Sequence, residues 1–152
     1  MPGSAQPDPA TVAAAGKVTE ALETVERARG HLYAFHQLTG YADLTLDDAV
    51  ELLRKAGHDE WADRVATELI GINVVQDRWT YQVVEEYDDG YYRTFTTVEN
   101  EVRAALTGGR RHLVEENEKR RRRTPGRPGH EQGAPTTAPS GEADSRYMPE
   151  AQ

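Results

Sequence analysis

From His58 to Leu106 apolar side chains recur at helical spacing almost without interruption. Ala62, Val65, Leu69, Ile72, Gln76, Trp79, Val83 and Tyr87 follow one another in steps of three and four, the spacing of a coiled-coil seam. Tyr91, Phe95, Val98, Val102 and then Ala105 or Leu106 carry the stripe onward. A strand places every second residue on one face, so this pattern excludes sheet and demands helix. Running unbroken from Asp59 to Leu106, such a helix would be about 72 Å long at about 1.5 Å per residue. A compact domain of about 100 residues cannot hold it straight. Either the helix bends or a second chain covers it.

Asp88-Asp89-Gly90 is the chemically better bend, because Asp and Gly tolerate turn dihedrals. Gly71 is the other glycine in the stretch, but strong helix continuers flank it. The sequence therefore predicts a break or kink near residues 88–90 and a last helix from about Tyr91 to Leu106, closed by Thr107-Gly108-Gly109.

Upstream, Val18, Ala21, Leu22, Val25, Ala28, Leu32 and Phe35 form one face of a helix opening at Pro9 or Ala10 and running to Leu38. Thr39-Gly40 is its expected end, with Gly40 suited to a left-handed cap. Thr45-Leu46-Asp47-Asp48 reads as a variant capping box opening a short helix over Leu46, Ala49, Val50 and Leu53, which Gly57 closes. The expected fold class is all-α, an up-and-down helical bundle of about four helices, one of them short, over residues 10–107. Residues 1–9 are expected to be a flexible N-terminus. Residues 108–123 form a basic segment with at most a marginal helix. Residues 124–152, rich in Pro, Gly, Ser, Thr and Ala, are expected to form a disordered tail.

Composition narrows the chemistry. The chain has no cysteine, which excludes disulfides, zinc ribbons, iron–sulfur clusters and thiol catalysis. No apolar run approaches the roughly 20 residues a membrane-spanning helix needs, and the N-terminus lacks the basic start and leucine-rich run of a secretory signal. A cytoplasmic location and no membrane partner are expected. The net charge of −8 is unevenly spread: residues 1–109 carry 9 basic and 19 acidic groups, whereas residues 110–127 carry 8 and 3.

No phosphate-binding glycine loop, nucleophile elbow or His-Glu-x-x-His stands in the sequence, so no enzyme is called for and no cofactor is expected. Three constellations remain. Glu85-Glu86-Tyr87-Asp88-Asp89-Gly90-Tyr91-Tyr92 is an acidic, tyrosine-rich knot. Aromatic rings with polar tips favour half-buried and interface positions, which makes Trp79, Tyr87, Asp89, Tyr91 and Tyr92 a candidate surface for a protein partner. Asn73, Gln76 and Thr80, polar groups within the apolar arc, point toward a register-fixing role and hence a homodimer.

The second constellation is a metal site. His36 lies on the apolar line of the first helix, and Glu86 and Asp89 are one helical turn apart, so the three could together supply ligands in a bundle core. The Glu-x-x-His pairs of carboxylate-bridged di-iron bundles are absent, since Ala28, Tyr33, Lys55 and Gly109 stand three residues before His31, His36, His58 and His112.

The third is the run Lys119-Arg120-Arg121-Arg122-Arg123 with Arg127, cations able to neutralise phosphates and release counterions from a nucleic acid. Gly126-Arg127-Pro128 resembles the core of the AT-hook, an extended segment that lies in the DNA minor groove, with Pro125 in the place of the hook's first arginine. The leading expectation is a non-enzymatic, self-associating or protein-binding helical protein. A metal- or cofactor-holding bundle and a nucleic-acid-associated protein are the alternatives.

Overall fold

The computed structural model describes residues 6–133. Among these the fold is all-α, with four helices and no strand. Helix α1 spans Pro9–Lys55. Helix α2 runs as α-helix over Asp59–Arg64 and widens to a π-turn over Val65–Leu69. Helix α3 is α-helical over Thr80–Tyr87, π-helical over Asp88–Tyr92, and α-helical again over Arg93–Thr107. Helix α4 spans Leu113–Arg122. Of the tail expected to be disordered over 124–152, residues 124–133 are described and form turns, with Arg127 N–H donating to Thr124 O and His130 N–H to Arg127 O; the remainder, like residues 1–5, lies outside the described residues.

The all-α class is as the sequence predicts, but the partition differs: three helices cover the stretch where four are expected, and the fourth, Leu113–Arg122, lies in the basic segment. The two helices expected on either side of Thr39-Gly40 are one, because Gly40 keeps a helical φ and the helix runs on to Lys55. Thr45, expected to cap a new helix, instead donates its hydroxyl to the Tyr41 carbonyl at 2.8 Å, a bond made inside a continuous helix. Asp8 is the real cap of α1: its carboxylate accepts from the Ala10 and Thr11 amides at 3.0 and 3.1 Å, with Pro9 in the first turn, where no amide hydrogen is needed. The far end closes on Gly57 (φ 81°), with Gly57 N–H donating to Arg54 O and His58 N–H to Leu53 O, a Schellman pair.

No break ends the helix near residues 88–90; it continues there through the π-helical segment Asp88–Tyr92. The chain turns instead at residues 70–79, where Gly71 (φ 76°) and Asp77 (φ 60°) adopt left-handed backbone and Val75 and Arg78 form a backbone bridge. Asp43 of α1 accepts the Gly71 amide at 2.9 Å, so the bend is fixed by a side chain far away in sequence. Gly90, although suited to a turn, stays helical.

The chain divides into two compact units, one of residues up to Glu20 and from Val98 onward, the other Ala21–Thr97. In the first, Val12, Ala15 and Leu113 are buried. Buried Glu99 accepts hydrogen bonds from the Thr19 hydroxyl and from Arg103 Nε, both at 3.0 Å. Arg103 also donates to the Gly109 carbonyl at 2.8 Å, tying off the end of α3. Gly16 permits α4 to approach: a Cβ there would stand 2.5 Å from Val114 Cγ2. Gly16→Leu is expected to dislodge α4, read as tryptic cleavage within residues 119–123 that is faster by about tenfold. Unchanged cleavage would show that this contact does not hold the helix.

In the second unit α1 and α3 run antiparallel. Glu26, Arg29, His36 and Asp43 of α1 meet Tyr92, Asp88, Thr80 and Gly71, one series rising while the other falls.

Candidate functional site

The covered face of α1 in this unit is Leu22, Val25, Arg29, Leu32, His36, Thr39, Asp43, Leu46 and Val50, all buried or half-buried. Their spacing alternates three and four throughout, a coiled-coil seam. Arg29, His36 and Asp43 are seven residues apart and occupy the same position of successive heptads. Each of these three finds a polar partner across the interface, Asp88, Thr80 and the Gly71 amide, which is what permits it to stand there.

Arg29 is held most elaborately. Its Nε and Nη2 donate to the two oxygens of Asp88 at 2.8 and 2.9 Å, a bidentate pair. The guanidinium lies 4.9 Å from the ring centroid of Tyr33 and 4.7 Å from that of Tyr92. Tyr92 in turn donates its hydroxyl to Glu26 at 2.6 Å. The hydrogen bonds with Arg29 hold the Asp88 carboxyl below the usual aspartate range, while Asp88 raises Arg29 above the ordinary guanidinium value. The bond to Glu26, aided by burial, raises the Tyr92 phenol. His36 Nδ1 shares a hydrogen bond of 2.7 Å with the hydroxyl of buried Thr80.

The aromatic and acidic residues expected to form one partner surface occupy four settings. Tyr87, Tyr91 and Phe95 form a ladder along α3, with ring centroids 5.6 and 5.7 Å apart and Tyr91 56% exposed. Tyr92 turns inward onto Arg29. Asp89 stays outside and pairs with Arg93. Trp79 belongs elsewhere, lining an apolar groove of ≈ 260 Å³ with Leu46, Leu69, Ile72 and Val74.

The three residues considered as metal ligands are each engaged separately. His36 faces Thr80, Asp89 pairs with Arg93, and Glu86 pairs with Arg78, whose guanidinium lowers the Glu86 carboxyl. Among the described residues they do not gather into a ligand cluster.

In the basic run, Arg120 pairs with Glu116, and Arg121 and Arg122 with Glu118. Glu116 and Glu118 of α4 thus engage three of the cations that a polyanion would need. Arg123 and Arg127 follow the helix end. Gly126 takes a left-handed φ of 76°, and Arg127 N–H donates to Thr124 O, so Gly126-Arg127-Pro128 lies in a turn rather than the extended form of the AT-hook core.

Sequence reasoning missed Glu26, Arg29 and Asp43, and passed over Gly71 as the bend. A seam is sought by its apolar residues, and these are polar or lack a side chain. The available signal was the seven-residue interval linking Arg29 and Asp43 to His36. In comparison with known proteins, the chain matches no family model, no curated protein and no solved structure. No helix among the described residues is long and apolar enough to cross a membrane.

Proposed function

We propose that the protein is a non-enzymatic, cytoplasmic helical protein that pairs with a second copy of itself and offers its aromatic α3 face, Tyr87, Tyr91 and Phe95, to a protein partner. The observation that carries this reading is a second stripe on α1. At 100° per residue, Ala34, Leu38, Tyr41, Thr45 and Leu52 lie on the side opposite the covered seam. Leu38, Tyr41 and Leu52, with neighbouring Leu44, are between 65% and 71% exposed. Their positions again step by three and four, with Asp48 the one charged member.

The burial pattern of the Ala21–Thr97 unit supports a missing layer. Val25, Ala62 and Val84 are its only buried apolar residues, against fourteen large apolar residues that are exposed. A unit with so few buried side chains gains little from the hydrophobic effect when alone. A helix spaced like a coiled-coil strand fits another helix spaced the same way, and a twofold pairing supplies one through a self-complementary patch. The stripe that needs covering is then the stripe that covers it.

Light scattering of the purified chain is expected to give twice the 16.9 kDa monomer mass at micromolar concentration. Leu38→Glu combined with Leu52→Glu should shift it to monomer with reduced helicity. A single-chain mass for the unaltered protein would end this reading.

A further inference from the structure

If two copies pair through the second stripe of α1, as proposed, the charges of that stripe choose their orientation. Continued toward the N-terminus in the same steps of three and four, the stripe takes in His31, Arg27 and Thr24. It consists of two alternating rows, Arg27, Ala34, Tyr41 and Asp48 in one and Thr24, His31, Leu38, Thr45 and Leu52 in the other. Asp48 and His31 are both exposed, and neither makes a hydrogen bond or ion pair with another described residue.

A carboxylate on a face that becomes covered needs a partner of opposite charge. When two such helices pack in parallel and in register, each residue of the stripe meets its own copy. Asp48 then faces Asp48, and like charges repel. In antiparallel packing the two rows exchange, so Asp48 meets a member of the other row. Within the Ala21–Thr97 unit that row offers Thr24, His31, Leu38, Thr45 and Leu52. Only His31 among them can carry positive charge.

Setting Asp48 against His31 fixes every other layer. The twofold axis crosses α1 midway between Thr39 and Gly40, and Leu38 meets Tyr41 on both sides of it. Ala34 meets Thr45, two small side chains that let the helices approach. Arg27 meets Leu52, whose 65% exposed side chain its aliphatic stem covers. The overlap from Thr24 to Lys55 is about 47 Å long at about 1.5 Å per residue. A slip of one heptad in one direction sets Asp48 against Leu38, and in the other against Thr24. Either slip loses both Leu38–Tyr41 layers.

We infer that two chains pair antiparallel along this stripe, with His31 of each set against Asp48 of the other, so that a proton on His31 tightens the pair. Of the charges that face a protonated His31, Arg27 stands one turn before it on the same helix and Asp48 opposite on the second copy. Glu51 and Lys55, the next charges on that copy, pair with each other.

The chain has no cysteine, so an introduced thiol reports a single position. Ala34→Cys and Thr45→Cys are oxidised separately, and again as a mixture after subunit exchange. A disulfide needs Cα atoms within about 7 Å. In the antiparallel pair the two copies of residue 34 stand about 16 Å apart along the helix axes, as do the two copies of residue 45. Covalent dimer is therefore expected from the mixture and from neither variant alone. His31→Glu should weaken pairing by about tenfold, and adding Asp48→Lys should restore it. Unaltered protein is expected to pair roughly threefold to tenfold tighter at about pH 5.5 than at about pH 8, a dependence that His31→Gln abolishes.

Covalent dimer from each variant alone means parallel pairing and overturns the inference. So does a double charge variant that pairs no better than His31→Glu. No covalent dimer from the mixture, while light scattering still gives twice the monomer mass, overturns the register and leaves self-pairing standing. A pH dependence that persists in His31→Gln belongs to other groups and overturns the role of His31. A single-chain mass, by contrast, ends self-pairing itself and this inference with it.

Discussion

Arg29→Ala is expected to lower the melting temperature by roughly 5–15 °C, the equivalent of about 1–3 kcal/mol. The substitution removes a bidentate pair with Asp88 and two ring contacts at once, and strands a carboxylate that is only 25% exposed. Asp88→Asn should cost less, because the amide oxygen still accepts one hydrogen bond. The double variant should cost less than the sum of the two, since the charge stranded by either change is then gone.

The pH dependence follows the same pair. A carboxyl held below its unfolded value contributes stability that is complete above the ordinary aspartate pKa of about 3.9 and is lost as pH falls through the depressed folded value. Unaltered protein should therefore lose stability in acid below about pH 4 more steeply than Arg29→Ala. Thermal melts of the four proteins at neutral and acid pH test both statements. Additive effects with identical acid profiles would mean that Arg29 and Asp88 do not act as a pair.

The helical class was legible because a three-and-four repeat has no other reading, and Val18, Leu22, Val25 and Leu32 announced the first seam. The same cue hid the seam's polar members. His36 was visible as an odd residue on an apolar line, but Arg29 looked like a solvated charge until Asp88 and the two tyrosines were seen around it. The turn was misplaced for a related reason. Asp88-Asp89-Gly90 has better intrinsic turn chemistry than Gly71-Ile72-Asn73, yet Asp88 and Tyr92 are pinned to α1, and those pins keep the segment helical. Gly71 bends because Asp43, twenty-eight residues earlier, accepts its amide. Local propensity ranks candidate turns, and long-range hydrogen bonds choose among them. The second stripe of α1 escaped notice because Leu38, Tyr41 and Leu44 fell in what read as the end of one helix and the approach to another. Only a continuous α1 places them on one face. Polar residues at a seam sacrifice some stability against apolar ones but fix register, since a slipped pairing would bury Arg29, His36 and Asp43 without partners.

Deletion of Gly90 is expected to be tolerated, with a melting temperature within about 5 °C of the parent, whereas insertion of one alanine after Gly90 should lower it by more than about 10 °C. The reason lies in the π-turn. Thr80, Val84, Asp88 and Tyr92 point toward α1 at steps of four, and each such step on an α-helix rotates a side chain by about 40° away from the seam. Two steps from Thr80 to Asp88 already consume much of the tolerance of a helical face. The π-turn over Asp88–Tyr92 makes the third step nearly a full turn, so Tyr92 still reaches Glu26 and stacks on Arg29. Removing Gly90 leaves a step of three, which an ordinary α-helix returns to the seam from the other side. Adding a residue makes a step of five, swinging the phenol about 100° outward and breaking both contacts. Circular dichroism melts of the two variants decide the matter, and a deletion more damaging than the insertion would show that the widened turn has a role other than keeping α3 in phase with α1.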